Sequence, residues 1–116
     1  MQQSRPSWAD RPRFALRVEP GHEWPEVHVT GDLDLAAIDQ FTTFLATHLA
    51  TGRSIVRLDL GAVTFMDCAF LRVLVDAHLH LQAAGGRLEL TRTSAPVDRL
   101  LRATRLDRLL SRSEVQ

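Results

Sequence analysis

The sequence predicts an α/β domain in which a four-stranded sheet carries helices on one face only. Two observations carry that prediction. The strand-like segments alternate apolar and polar residues, as a sheet with one wet face does, whereas strands covered on both sides read as continuous apolar runs. The period then switches from two to three-and-four, giving the order strand, strand, helix, strand, helix, strand, helix.

Residues 1–12, "MQQSRPSWADRP", hold two prolines, charges and no periodicity, and are expected to form a mobile arm. The domain is expected to span residues 13–112. In "RFALRV", Phe14, Leu16 and Val18 alternate with Arg13 and Arg17; in "EVHVT", Val27 and Val29 alternate with Glu26, His28 and Thr30. These are the first two strands, joined through "EPGHEWP". Ile38, Phe41, Leu45 and Leu49 then recur at helical spacing behind Asp34 as N-cap, and Gly52 lies past the end.

"SIVRLDL" returns to a strand, with Val56, Leu58 and Leu60 inward and Arg57 and Asp59 outward. The stretch "DCAFLRVLVDAHLHLQAAGG" is a second helix stopped by Gly85 and Gly86. "RLELTR" is a fourth strand with Leu88 and Leu90 inward. Ser94 and Pro96 open a third helix whose buried stripe is Val97, Leu100 and Leu101. The polar face of the sheet, with Arg13, Arg17, His28, Arg57, Arg87 and Glu89, is left open to water or a partner.

Composition narrows the chemistry. A chain of 116 residues, 45% hydrophobic, suits one domain with one core. Fourteen Arg balance fourteen acidic residues, so bulk charge draws it neither to nucleic acid nor to anionic membrane. The absence of Lys excludes a Walker-type phosphate loop, a Schiff base and a Ser-Lys dyad. Lys, Asn and Tyr, all missing, have AT-rich codons, which points to a GC-rich bacterial genome. A single Cys makes no internal disulfide, and no apolar run resembles a signal peptide or a spanning helix; the expectation is a soluble cytoplasmic protein.

The five His are expected not to form a metal site. His78 and His80 point about 200° apart on a helix, and His22, His28 and His48 fall on a loop, a strand and another helix. Asp59 belongs to the wet face, and Asp76 is expected to pair with Arg72 one turn earlier. Arg99, Arg102, Arg105, Arg108 and Arg112 drift about 60° per step and spiral around their helix, which argues for a solvated face over a DNA-reading one.

Four segments in order, "GDLD" at 31–34, "VRLDLGAVTFMDCAFLRVL" at 56–74, "GGRLEL" at 85–90 and "RLLRATRLDRLL" at 99–110, resemble the STAS domain of bacterial anti-sigma-factor antagonists. The resemblance covers nearly all the chain after the arm. It implies a mixed sheet with helices on one side, in agreement with the alternation. It further implies a non-enzymatic module that binds an anti-sigma factor of the serine-kinase type, or another signalling protein, and so regulates sigma-factor-dependent transcription. In the family, a Ser or Thr after the Asp of "F-x-D-S-S-G-L" is phosphorylated and the modified antagonist lets go. A phosphate there would add charge at a helix start, where free N–H groups and the helix dipole tolerate it.

This sequence departs from that motif. Asp67 matches, but Cys68 stands at the phosphoacceptor position, Ala69 replaces the second Ser, Phe70 the Gly, and Arg72 a residue commonly small. The expectation is an interaction module without the serine switch, whose partner surface comprises Asp32, Asp34, Asp67, Cys68, Ala69, Phe70 and Arg72. No catalytic residue, cofactor, metal, nucleic acid or membrane insertion is expected, and a homodimer stays open. Two other readings compete. One is a STAS scaffold or subunit of a stress-signalling or lipid-transport complex; the other is a thiol-based redox sensor at Cys68.

Cys68 itself is expected to be a small residue filling a tight corner. A helix N-terminus favours a thiolate, but the adjacent carboxylate opposes it, and no His lies near in sequence to act as base. Where the family has a "TGLD"-like segment, this chain has "ATRLD", with Arg105 in place of a helix-ending Gly. That predicts a longer or differently ended last helix.

Overall fold

A computed structural model describes residues 13–19, 26–50, 52, 55–107 and 110–112, without the side chains of residues 49, 111 and 112. The expected arm 1–12, the linker around His22, Arg108, and the side chains of Leu49 and Arg112 in the predicted stripes lie outside what is described. The elements are β1 (Ala15–Glu19), β2 (Glu26–Leu33), α1 (Leu35–Ala50), β3 (Ile55–Met66), α2 (Cys68–Ala83), β4 (Arg87–Thr93), α3 (Ala95–Thr104) and a two-residue β5 (Ser111–Arg112). They follow the predicted order, with β5 added at the end.

The sheet order is β1-β2-β3-β4-β5. β1 runs antiparallel to β2, and β2, β3, β4 and β5 pair in parallel, so the sheet is mixed. Alternation sends Val27, Val29, Val56, Leu58, Leu60, Leu88 and Leu90 to one face, where none exceeds 1% exposure. Ala37, Phe41 and Leu45 from α1, Phe70, Leu71, Leu74 and Leu81 from α2, and Val97 and Leu101 from α3 close the core over them. Val18, expected inward, is 44% exposed: it sits near the end of an edge strand.

Two local features were harder to foresee. β3 runs on to Met66, its alternation broken after Leu60. α3 does not lengthen, because Arg105 itself takes the left-handed conformation, φ 60°, ψ 28°, and sends its N–H to the Arg102 and Leu101 carbonyls. The end that a Gly would supply is therefore kept, at a conformational cost of about 1 kcal/mol for a non-Gly residue.

His78 completes the α2 stripe. It is 1% exposed, and its Nδ1 accepts the backbone N–H of Leu88 at 3.3 Å. Burial lowers its pKa below the ordinary imidazole value. His80, two residues on, is exposed, as their angular separation requires.

Candidate partner-binding site

The carboxyl ends of the parallel strands β2 and β3 lie side by side, Asp32 opposite Phe65 and Leu33 opposite Met66. The Asp67 N–H donates to the Leu33 carbonyl at 2.9 Å, so the two strand exits are tied before each turns into its helix. Both turns use an Asp as N-cap. Asp34 Oδ1 accepts the Ala36 N–H at 3.1 Å, and Asp67 Oδ1 accepts the Ala69 N–H at 2.8 Å. Asp32 Oδ1 accepts the Thr64 hydroxyl at 2.6 Å, which braces the same corner.

Gly31 begins this corner for a steric reason. Its φ is +88°, and a Cβ there would sit 2.0 Å from the Arg13 carbonyl oxygen. The glycine of "GDLD" is thus required by the approach of the chain entering β1.

Six of the seven expected partner-surface residues have some exposure. Cys68 and Arg72 are exposed, and Asp32, Asp34, Asp67 and Ala69 are half-buried. Phe70 is not among them: at 0% exposure it packs between Phe41 (ring centroids 5.0 Å apart) and Phe14 (6.3 Å). The motif position suggested a surface residue, but Phe70 begins the stripe Phe70, Leu71, Leu74, His78, Leu81, which faces the sheet. Cys68 is corrected in the opposite sense. As the first residue of α2 it is exposed and fills no corner.

Two residues were missed. Leu35, the first residue of α1, is 70% exposed, and Phe65, opposite Asp32, is 44% exposed. Their signal in the sequence was an apolar residue beside a capping Asp: Leu35 directly after Asp34, and Phe65 two residues before Asp67. Together with Cys68 they put apolar surface among three carboxylates. Along α2, Cys68, Leu71, Arg72, Val75 and Asp76 meet Thr104 and Leu106 around a groove of ≈ 270 Å³ whose lining holds no histidine. The expected ion pair between Arg72 and Asp76 is absent among the described residues, although both line this groove.

A family model described as "Mlab, STAS domain" matches residues 17–111. The chain belongs to the STAS domain family. Solved structures share the STAS fold across most of both chains. An anti-sigma factor antagonist from Mycobacterium paratuberculosis superposes with a TM-score of 0.76 at 19% identity, over 89% of this chain and 87% of that one. The anti-sigma factor antagonist SpoIIAA in its unphosphorylated form gives 0.72 at 19%, over 86% and 89%. The Bacillus cell fate determinant SpoIIAA in its phosphorylated form gives 0.66 at 20%, over 86% and 92%. No curated protein matches the chain. At these identities the likeness is one of fold. Among the described residues of this STAS domain, no helix is long and apolar enough to cross a membrane.

Proposed function

We propose that residues 13–112, behind an arm of residues 1–12, form a non-enzymatic cytoplasmic interaction module resembling an anti-sigma-factor antagonist. It docks the corner formed by Asp32, Asp34, Leu35, Phe65, Asp67, Cys68, Ala69 and Arg72 onto an anti-sigma factor of the serine-kinase type, and thereby regulates sigma-factor-dependent transcription. The observation that carries this reading is the exposure of Cys68 at the first turn of α2, beside the capped Asp34 corner and the uncovered Leu35 and Phe65. Apolar groups ringed by polar ones are what a protein partner covers.

A thiol offers no hydroxyl for the serine switch, so docking is constitutive or controlled elsewhere. The same substitution favours a second reading, a STAS scaffold or subunit of a stress-signalling or lipid-transport complex. The experiment is a pull-down of the full chain and Cys68→Ser against purified kinase-type anti-sigma factors, with radiolabelled ATP. Both forms are expected to capture the same factor, and only Cys68→Ser to take up label. Capture by neither form, with no label, sinks the anti-sigma reading. The thiol-sensor reading requires alkylation at neutral pH faster than that of free cysteine; an equal rate removes it.

A further inference from the structure

The open face of the sheet holds a second cluster, five residues before the end of β2 and so roughly 16 Å from the docking corner. Glu26 and His28 point to the same side of β2. Glu19 is the register partner of Glu26 across the antiparallel pair, and Asp59 is that of His28 across the parallel one. Four side chains from three strands therefore converge. His28 Nε2 lies 2.6 Å from Glu19 Oε2 and 3.6 Å from Glu26 Oε1, and Nδ1 lies 3.1 Å from Asp59 Oδ2.

Both ring nitrogens thus face carboxylate oxygens. A neutral imidazole has one N–H, and its other nitrogen would turn a lone pair toward an anion. A cation seated between Nε2 and the Glu19 and Glu26 carboxylates would meet a lone pair from each of the three. Glu19 and Glu26 stand directly opposite each other, an arrangement that like charges disfavour unless a cation lies between them. Three carboxylates gathered around one ring concentrate acceptor oxygens, which suits a divalent ion.

The geometry can seat such an ion. Asp59 is held on both oxygens, since Oδ1 accepts the Gly61 N–H at 2.9 Å while Oδ2 faces the ring. A carboxylate on the far nitrogen fixes the tautomer that leaves Nε2 free to ligate. The His28 and Asp59 side chains are only 18% and 13% exposed, whereas Glu19 is 51% exposed and can adjust with little loss of packing. The ligand atoms of Glu19, Glu26 and His28 all lie within 4.8 Å of one another. Tetrahedral ligation at about 2.0–2.1 Å needs them about 3.3 Å apart, within reach of small rotations.

The strand register also slips at this row, between His28 and Thr30 on β2 and between Leu58 and Asp59 on β3. Such bulges re-aim side chains and gather beside functional sites. Among the described residues, the ion-pair partners of His28 are carboxylates, which reading the chain for clustered histidines does not reveal.

We propose that Glu19, Glu26 and His28 bind a divalent transition ion of the Zn²⁺ class, with Asp59 as the positioning residue. One nitrogen with carboxylate oxygens suits borderline divalent ions over Mg²⁺ or Ca²⁺, which take oxygen alone. The ion clips the edge strand β1 to β2.

The test is calorimetric titration of the metal-free full chain with Zn²⁺, alongside His28→Gln, Glu19→Gln and Asp59→Asn, with circular dichroism showing each folded. One ion per chain is expected, undisturbed by millimolar Mg²⁺. Saturation should be lost in His28→Gln, weakened in Glu19→Gln, and weakened by about tenfold or more in Asp59→Asn. On adding Zn²⁺, the β1 amides should exchange more slowly in the wild type only. No saturable Zn²⁺ binding, or binding that both His28→Gln and Glu19→Gln leave unchanged, overturns the proposal.

Discussion

On one face of the sheet, Val27, Val29, Val56, Leu58, Leu60, Leu88 and Leu90 lie sealed under three helices. On the other, His28 meets Asp59 and Arg57 meets Glu89 across the strands, all four side chains keeping some exposure. The two faces are written by the same two-residue period, yet they obey different rules. A sealed apolar group has no alternative environment, so its volume is specified closely. A charge on the open face can exchange its partner for water, so its identity is constrained weakly by folding and is free to serve binding.

Phe70→Ala tests the sealed side most severely. Although the position belongs to a motif read as functional, the ring packs against Phe41 and Phe14 at full burial. Its removal should cost about 3–5 kcal/mol in chemical denaturation. A loss under about 1 kcal/mol would mean that the ring is not a core group.

Gly31→Ala comes next, at the seam where the chain enters β1. The added Cβ would meet the Arg13 carbonyl, and the residue would have to hold φ +88°. Those two penalties together predict a loss on the order of 3 kcal/mol, with faster amide exchange concentrated in β1. A uniform change in exchange across the sheet would refute the local explanation.

How much of this was legible follows the same division. Alternation placed Val27, Val29, Val56, Leu58, Leu60, Leu88 and Leu90 inward, and capping chemistry placed Asp34, because those signals are local; Leu33, Val63 and Met66 went unplaced, since the strand readings stopped short of them. Phe70 was equally legible by helical spacing, but its motif position drew it to the surface. The grouping of Glu19, Glu26, His28 and Asp59 was not legible. It depends on the register of an antiparallel and a parallel pairing, which no local pattern encodes. The two-residue β5 has too few residues to show a period.

His78 is the polar exception on the sealed side and gives a pH-dependent test. Burial depresses its pKa, so the unfolded chain takes up a proton first on acidification. The stability it supports is complete above the unfolded value of about 6.5 and is lost as pH falls below it, with a slope of at most about 1.4 kcal/mol per pH unit. His78→Gln keeps an acceptor for the Leu88 N–H but cannot titrate. Its stability should fall less than the wild type's between pH 7 and 5.5. Equal slopes would show that His78 is not what couples folding to acid.

The smallest effect is expected across the sheet, at Glu89. Its carboxylate lies 3.5 Å from Arg57 Nε and accepts from Arg87 Nε, so Glu89→Gln weakens two charge pairs at once. Arg87 is half exposed and Arg57 one quarter exposed, so water screens much of what is lost and can solvate the freed guanidinium groups. A cost of about 0.5–1 kcal/mol is expected, shrinking further in molar salt. The side chain of Glu89 is itself only 15% exposed, which makes this the demanding position for the contrast. If Glu89→Gln cost as much as Phe70→Ala, burial by neighbouring side chains would be as exacting as burial under helices, and the open face would have no latitude to hold a site.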